Sequence, residues 1–154
     1  MEIIIKKPSE VLGNEMKQIL DLIGYGAQIQ GDYEAIINRL KNAVFIGFIF
    51  DEGNIIATAT LKNPSESYRK KVFESAKAEH FLPEYKYELG YIVTAGDREG
   101  EKLCQKLLTA FFPLISKYKM FATTRKDSIL HILSKFGFKP TGETYNSDLS
   151  LLVN

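Results

Sequence analysis

Few side chains in this sequence belong to the types that move protons, attack carbonyls or hold metals. It has one cysteine, Cys104, and two histidines, His80 and His131. One thiol and two imidazoles fall short of a structural zinc set, so no metal site is expected. An imidazole suits proton transfer, yet His131 shares a helix-spaced polar stripe with Asp127, Ser128, Ser134 and Lys135 and is expected to face solvent. Cys104 follows a turn at the start of an apolar helix pattern. That setting either lowers its pKa or tucks a small residue under the turn, and the second reading is the better one. Glu88 heads the apolar run ELGYIVT at 88–94. A carboxylate there can accept a proton from a nucleophile, or it can sit at a strand end in solvent or in an ion pair. Period-2 alternation puts Gly90, Ile92 and Thr94 on its face. The turn from Ala95 to Gly100 leads into a helix at Leu103. Unpaired N–H groups and the helix dipole suit such a joint to a pyrophosphate; the bland reading is an ordinary strand-to-helix joint with a solvated, charged first turn.

The elements that must position these residues follow from periodicity. Ile3 to Ile5 is a short β-branched strand ended by Pro8. Leu12, Met16, Ile19, Leu20 and Ile23 then recur at helical spacing, with Gly24 and Gly26 as stops. Asp32 can cap a second helix striped by Tyr33, Ile36, Ile37 and Leu40 and closed by Asn42. Phe45 to Phe50 and Ile55 to Leu61 flank Asp51-Glu52-Gly53-Asn54 as a hairpin. Residues 63–84 form an amphipathic insertion in which Tyr68, Val72, Phe73 and Ala76 lie beneath a cationic face. Glu88 to Thr94 is a strand apolar enough to be central. Leu103, Leu107, Leu108 and Phe111 mark a helix that Pro113 should kink or end. Met120 to Thr124 is a buried strand. Asp127 can cap a helix carrying Ile129, Ile132, Leu133 and Phe136, stopped at Gly137-Phe138. Two last strands, Thr141 to Tyr145 and Leu149 to Val153, flank Asn146-Ser147-Asp148.

Composition removes several classes. The chain has 154 residues, 45% of them hydrophobic, and 20 Lys+Arg against 19 Asp+Glu. That length fits one core that needs no disulfide, and a formal charge of +1 gives no broad field for nucleic acid. Apolar runs such as Val44 to Phe50 stop far short of the roughly 18 to 20 residues of a membrane helix. Met1-Glu2-Ile3-Ile4-Ile5-Lys6-Lys7 does not read as a signal peptide, so a reducing, cytoplasmic location is expected.

The order β-α-α-β-β-(α)-β-α-β-α-β-β, with ELGYIVT followed by a turn and Glu99 to Leu108, and with ATTRKDSILHILSKFGFKPTGE at 122–143, resembles the GNAT superfamily of acyl-CoA-dependent N-acetyltransferases. The resemblance covers nearly the whole chain. It implies an α/β, three-layer fold with a mixed, splayed central β-sheet flanked by helices. It implies one acyltransferase domain over 1–154, with the 63–84 insertion near the acceptor. The implied reaction is direct transfer, in a ternary complex, of an acetyl group from acetyl-CoA to a primary amine of a small molecule or peptide. Acetyl-CoA is then a co-substrate, with no metal, nucleic acid or membrane partner and a monomer or homodimer as the working unit. A non-catalytic CoA-binding or protein-interaction module on the same fold is the alternative.

The resemblance also assigns roles. Glu88 is the base, and the peptide groups of Ile92, Val93 and Thr94 meet the pantetheine arm, unless that strand is fully paired. The loop Glu99, Gly100, Glu101, Lys102 with Leu103 and Cys104 holds the pyrophosphate. The family loop reads R-x-x-G-x-G/A. Aligning on Leu107-Leu108 puts Glu99 at the Arg, Lys102 at the first Gly and Cys104 at the second. Lys126 or Asp127 falls at the Asn of the family's last-helix pattern, and Leu133 replaces the Tyr that serves there as acid. Tyr145 or a water could stand in for that acid, but Tyr145 is better read as a strand aromatic with its hydroxyl in water. Tyr68, His80, Tyr85 and Tyr87 are candidates to line the acceptor site.

Overall fold

The computed structural model of the chain describes residues 1–25 and 33–154. Gly26 and Asp32, expected as helix stop and cap, lie outside them. Among the described residues, seven strands, β1 Glu2–Lys6, β2 Phe45–Asp51, β3 Asn54–Lys62, β4 Tyr87–Thr94, β5 Met120–Thr124, β6 Lys139–Tyr145 and β7 Leu149–Val153, form one mixed sheet in the order β1-β2-β3-β4-β5-β7-β6. The helices are α1 Gly13–Tyr25, α2 Tyr33–Lys41, α3 Glu66–Ser75, α4 Leu103–Ile115 and α5 Asp127–Ser134. The chain divides into two compact units, 1–62 with 90–115, and 63–89 with 116–154.

In the first unit β1, β2 and β3 are antiparallel, with Ile4 opposite Phe48 and Phe48 opposite Thr58. Alternation sends Ile46 and Phe48 to one face, where they meet Ile19, Ile23, Ile36 and Leu40 of α1 and α2. The other face meets α4, whose Phe111 lies over Gly47. Both faces of β2 are therefore covered, and this is why FIGFIF reads as an uninterrupted apolar run rather than an alternating one. Glu15, at 8% exposure, takes hydrogen bonds from Lys6 Nζ at 2.7 Å and the Leu12 amide at 2.9 Å, which ties β1 to the start of α1. Pro113 does not end α4, which runs two residues past it. So close to the C-terminal end, the missing N–H removes one bond from a helix already fixed by the buried stripe Leu107, Leu108 and Phe111.

In the second unit β5 pairs antiparallel with β7, and β7 with β6. The start of β4 runs parallel to β5 through Tyr87↔Met120 and Glu88↔Phe121, where that ladder ends. Val72 and Phe73 of α3 pack with Phe121, Leu151 and Val153, and the Phe73 and Phe121 rings meet edge-on at 5.1 Å. The 3₁₀ turn Glu79–Phe81 follows α3. Asp127 is not the cap of α5. Lys126 occupies that position without a side-chain cap bond, and the Lys126 amide donates to Thr124 Oγ1 at 3.0 Å. No helix among the described residues is long and apolar enough to cross a membrane.

Candidate functional site

The residues singled out from the sequence lie in both units, and each group is built by its own elements. In the first unit, a 3₁₀ turn at Gly96–Arg98 leads from β4 to a loop in which Gly100 has φ +91° and Lys102 φ +58°. Nothing stands within 4 Å of a Cβ built on Gly100. Two left-handed residues two positions apart turn the chain sharply just before α4, and an L side chain adopts that conformation only at a cost. Lys102, aligned with a family glycine, thus keeps a glycine-like backbone without the glycine. Glu99, Gly100, Glu101 and Lys102 are exposed, whereas Leu103 and Cys104 are buried at the head of α4. Burial pushes the Cys104 thiol up to about 11, so the tucked-residue reading holds and the activated-thiol reading does not.

The charges of this loop pair with one another. Arg98 grips both Glu101 oxygens, with Nη2 at 3.1 Å from Oε1 and Nε on Oε2, and its Nη1 reaches Asp51 Oδ2 at 3.0 Å. Those hydrogen bonds hold the Glu101 and Asp51 carboxyls below their ordinary range. The negative charge of Glu101 is thereby met inside the protein, and Arg98 is engaged in meeting it. Lys102 helps line a shallow apolar groove with Ile3, Gln105, Lys106, Thr109 and Ala110.

Ile92, Val93 and Thr94 are half-buried in the later part of β4. Before them comes Tyr91, at φ +49° in mid-strand, 9% exposed and packed into the cluster of α1 and α2. Lys62 Nζ lies 4.3 Å from its ring centroid. A left-handed residue interrupts the pleat, so simple alternation cannot be carried from Glu88 to Ile92 and Thr94. The shared face expected for those residues does not survive it. Sequence reasoning missed Tyr91 because a bulky aromatic gives no local signal for positive φ.

In the second unit Glu88 is not at a solvated strand end. It is 2% exposed, and the Tyr68 hydroxyl of α3 donates to its Oε2 at 3.1 Å. The hydroxyl of Tyr145, at the end of β6, is also buried and has no hydrogen-bond partner among the described residues. Burial first, then the nearby Glu88 charge, pushes Tyr145 up to about 12, with Arg125 opposing. Its hydroxyl is therefore not in water. β6 approaches the end of α3 closely at Gly142, which has φ +66°. A Cβ there would lie 2.0 Å from the Ala76 carbonyl oxygen at the end of α3, and the Glu143 amide donates to that oxygen at 2.7 Å. At the other end of β6, Arg125 donates to the Asn146 and Ser147 carbonyls, steadying a turn of three left-handed residues next to Tyr145.

Tyr85 donates to the Asn154 carbonyl at 3.0 Å, Tyr87 meets the Tyr118 ring, and His80 lies against Phe81. His131 and Asp127 are exposed, and Leu133 is wholly buried. Among the described residues, no group of three or more His, Cys, Asp or Glu side chains is placed to hold a metal ion.

No protein-family model matches the sequence, and no curated protein does. Solved structures match it over almost its full length. Escherichia coli ElaA is 14% identical with a TM-score of 0.75, covering 100% of this chain and 99% of its own. An acyl-CoA N-acyltransferase from Pseudomonas aeruginosa is 11% identical at TM-score 0.69, covering 99% and 98%. A GNAT-family acetyltransferase from Streptococcus agalactiae is 18% identical at TM-score 0.65, covering 98% and 93%. Strand order, helix placement and these likenesses agree: the chain has the GNAT acetyltransferase fold.

Proposed function

We propose that this protein is an N-acetyltransferase that moves an acetyl group from acetyl-CoA to a primary amine of a small molecule or peptide, with Glu88 as the base. The observation that carries the reading is Glu88 itself. A carboxylate at 2% exposure on β4, held by a tyrosine hydroxyl at 3.1 Å, is costly to bury without a task. The fold supports it, since the neighbours named above include an acyl-CoA N-acyltransferase and a GNAT-family acetyltransferase.

Acetyl-CoA supplies the activated acetyl group. The loop fits its pyrophosphate, because Gly100 leaves open space and the first peptide groups of α4, at Leu103 and Cys104, present N–H donors. Glu99, Glu101 and Lys102 contribute backbone there rather than side-chain charge, and Ile92, Val93 and Thr94 offer strand peptide groups to the pantetheine arm. Asp127, on the exposed first turn of α5, completes the set. Glu88 accepts a proton from the acceptor nitrogen, directly or through a water, so that the amine attacks neutral. On this reading residues 1–154 act as one acyltransferase domain, with 63–84 bordering the acceptor, in the cytoplasm, as a monomer or homodimer.

Calorimetric titration with acetyl-CoA and desulfo-CoA, followed by free-thiol release against polyamines, amino acids and lysine peptides, tests the reading. Binding with acceptor-dependent release supports it. Binding with no release across the panel favours a CoA-binding module, a reading that buried Leu133 in the acid's place also supports. Absence of binding overturns both.

A further inference from the structure

We propose that β1 is a homodimer interface: a second copy of this chain adds its own β1 antiparallel to the outer edge, with Ile4 facing Ile4 across the twofold axis. Strand order puts β1 at one end of the sheet, and among the described residues no strand pairs with its outer side. Its pairing with β2 is continuous from Glu2↔Phe50 to Lys6↔Ile46, so its outer peptide groups form a regular row. β6, at the other end of the order, is built differently. It carries Pro140, a register break between Thr141 and Tyr145, and Gly142 at φ +66°. Proline and broken pairing are the usual guards of a free edge. β1 has neither, and it presents three consecutive isoleucines, with Ile3 at 39% exposure. An edge of that kind is a template for another strand.

The strand's own sequence, Glu2-Ile3-Ile4-Ile5-Lys6, selects the occupant. Laid antiparallel to itself about Ile4, it sets Glu2 opposite the second copy's Lys6 at both ends and Ile3 opposite its Ile5. Even-numbered residues then face even-numbered ones, so the outward peptide groups of one copy meet those of the other. A shift by one residue sets outward groups against inward ones, and a shift by two unpairs both charges. The two faces of the strand agree with this register. Ile4 packs with the cluster of α1 and α2, alternation puts Glu2 and Lys6 on the same side, and Lys6 Nζ lies 6.0 Å from the Phe48 ring of that cluster. Lys6 donates to Glu15 at 2.7 Å while 23% of its side chain stays exposed, and an ammonium with three donors can serve Glu15 and the incoming Glu2 together. On the other side Ile3 lines the apolar groove with Thr109 and Ala110 of α4, and the second copy's Ile5 continues that apolar surface.

Sedimentation velocity of the intact chain across a concentration series reads the interface. A short strand pair is a small interface, so the expected result is a monomer–dimer equilibrium that shifts on dilution through the micromolar range. Glu2→Lys sets like charges opposite each other at both ends and should raise the dimer dissociation constant about tenfold. Ile3→Lys, a charge within the edge, should leave a monomer. Both positions are exposed, and an unchanged far-ultraviolet spectrum verifies the fold of each variant. Mild oxidation then reads the register. Ile4→Cys should give a disulfide-linked dimer, since directly opposite residues lie about 4.5 to 5.5 Å apart. In Glu2→Cys the two new thiols stand about 14 Å apart, and the parent chain carries only the buried Cys104, so neither should link. A monomer at every concentration overturns the proposal and leaves the edge to a strand of another protein. A dimer indifferent to both lysine substitutions, or linked as readily through Glu2→Cys as through Ile4→Cys, overturns it as well. None of these readouts involves acetyl-CoA, so the dimer and the acyltransferase reading stand or fall separately.

Discussion

The loop before α4 and the cluster around Glu88 handle charge in opposite ways. In the loop, Arg98, Glu101 and Asp51 lie near the surface and neutralise one another, leaving backbone at Gly100 and Lys102 as what can meet an anion. Around Glu88 the carboxylate is buried and a tyrosine hydroxyl donates to it. A site made of peptide groups tolerates drift in its side chains, provided that the backbone path is kept. A site made of buried side chains does not. On the proposed function, the loop's departure from R-x-x-G-x-G/A should therefore be less damaging than a motif comparison suggests, and the identity of residue 88 should matter more.

The largest effect should come from the cluster. Glu88→Gln should lower acetyl transfer by about 10² to 10⁴-fold, the usual contribution of a general base, while acetyl-CoA affinity measured by calorimetry stays as it was. The deficit should narrow at alkaline pH, where the acceptor amine deprotonates unaided. Unchanged turnover in Glu88→Gln would break the comparison at its root.

Next in size is the contact that lets β6 approach α3. Gly142→Ala sets a methyl group 2.0 Å from the Ala76 oxygen at a left-handed position, so it should cost about 2 to 3 kcal/mol, as overpacking does. Urea unfolding would measure this, and a loss under 1 kcal/mol would show that the approach is looser than drawn. This contact also marks the limit of what the sequence discloses. The hairpin at 45–62, the central strand and the α5 stop at Gly137 are legible because period, turn chemistry and β-branching act over a few residues. Glu88 was legible as a candidate, since a carboxylate opening an apolar strand is conspicuous. Its contact with Tyr68 was not, because Tyr68 lies 20 positions away on another element, and the approach of β6 to α3 depends on a glycine facing a carbonyl of that other element. The left-handed backbone of Tyr91 and Lys102 was equally hidden, because neither residue type favours it.

The two regions should also fail at opposite ends of the pH scale. Asp51 and Glu101 are depressed below their ordinary 3.8 and 4.5, chiefly by hydrogen bonds from Arg98. A depressed carboxyl contributes stability that is complete above its ordinary value and lost as pH falls through its folded one. Asp51→Asn with Glu101→Gln should therefore flatten the fall in stability below about pH 4.5. Tyr145 is raised from 10.0 to about 12, so its contribution is complete below pH 10 and lost as pH climbs toward 12. Tyr145→Phe should flatten that alkaline arm, best seen in a Cys104→Ala background because the Cys104 thiol, raised to about 11, titrates in an overlapping range. Thermal melts across pH would show it, and a loop pair acting only at alkaline pH would contradict the assignment.

The smallest effect sharpens the loop side. Lys102 holds φ +58°, a conformation in which a residue with a Cβ is strained by roughly 1 to 2 kcal/mol, and glycine relieves that strain while adding some entropy to the unfolded chain. Lys102→Gly should then be neutral to about 1 kcal/mol stabilising and should keep or tighten acetyl-CoA binding. Gly100→Pro, which forces φ +91° to a value near −65°, should weaken that binding. Should Lys102→Gly instead abolish binding while the fold stays intact, the Lys102 ammonium rather than the peptide path would be the phosphate ligand. The loop would then depend on a side chain as strictly as the Glu88 cluster does.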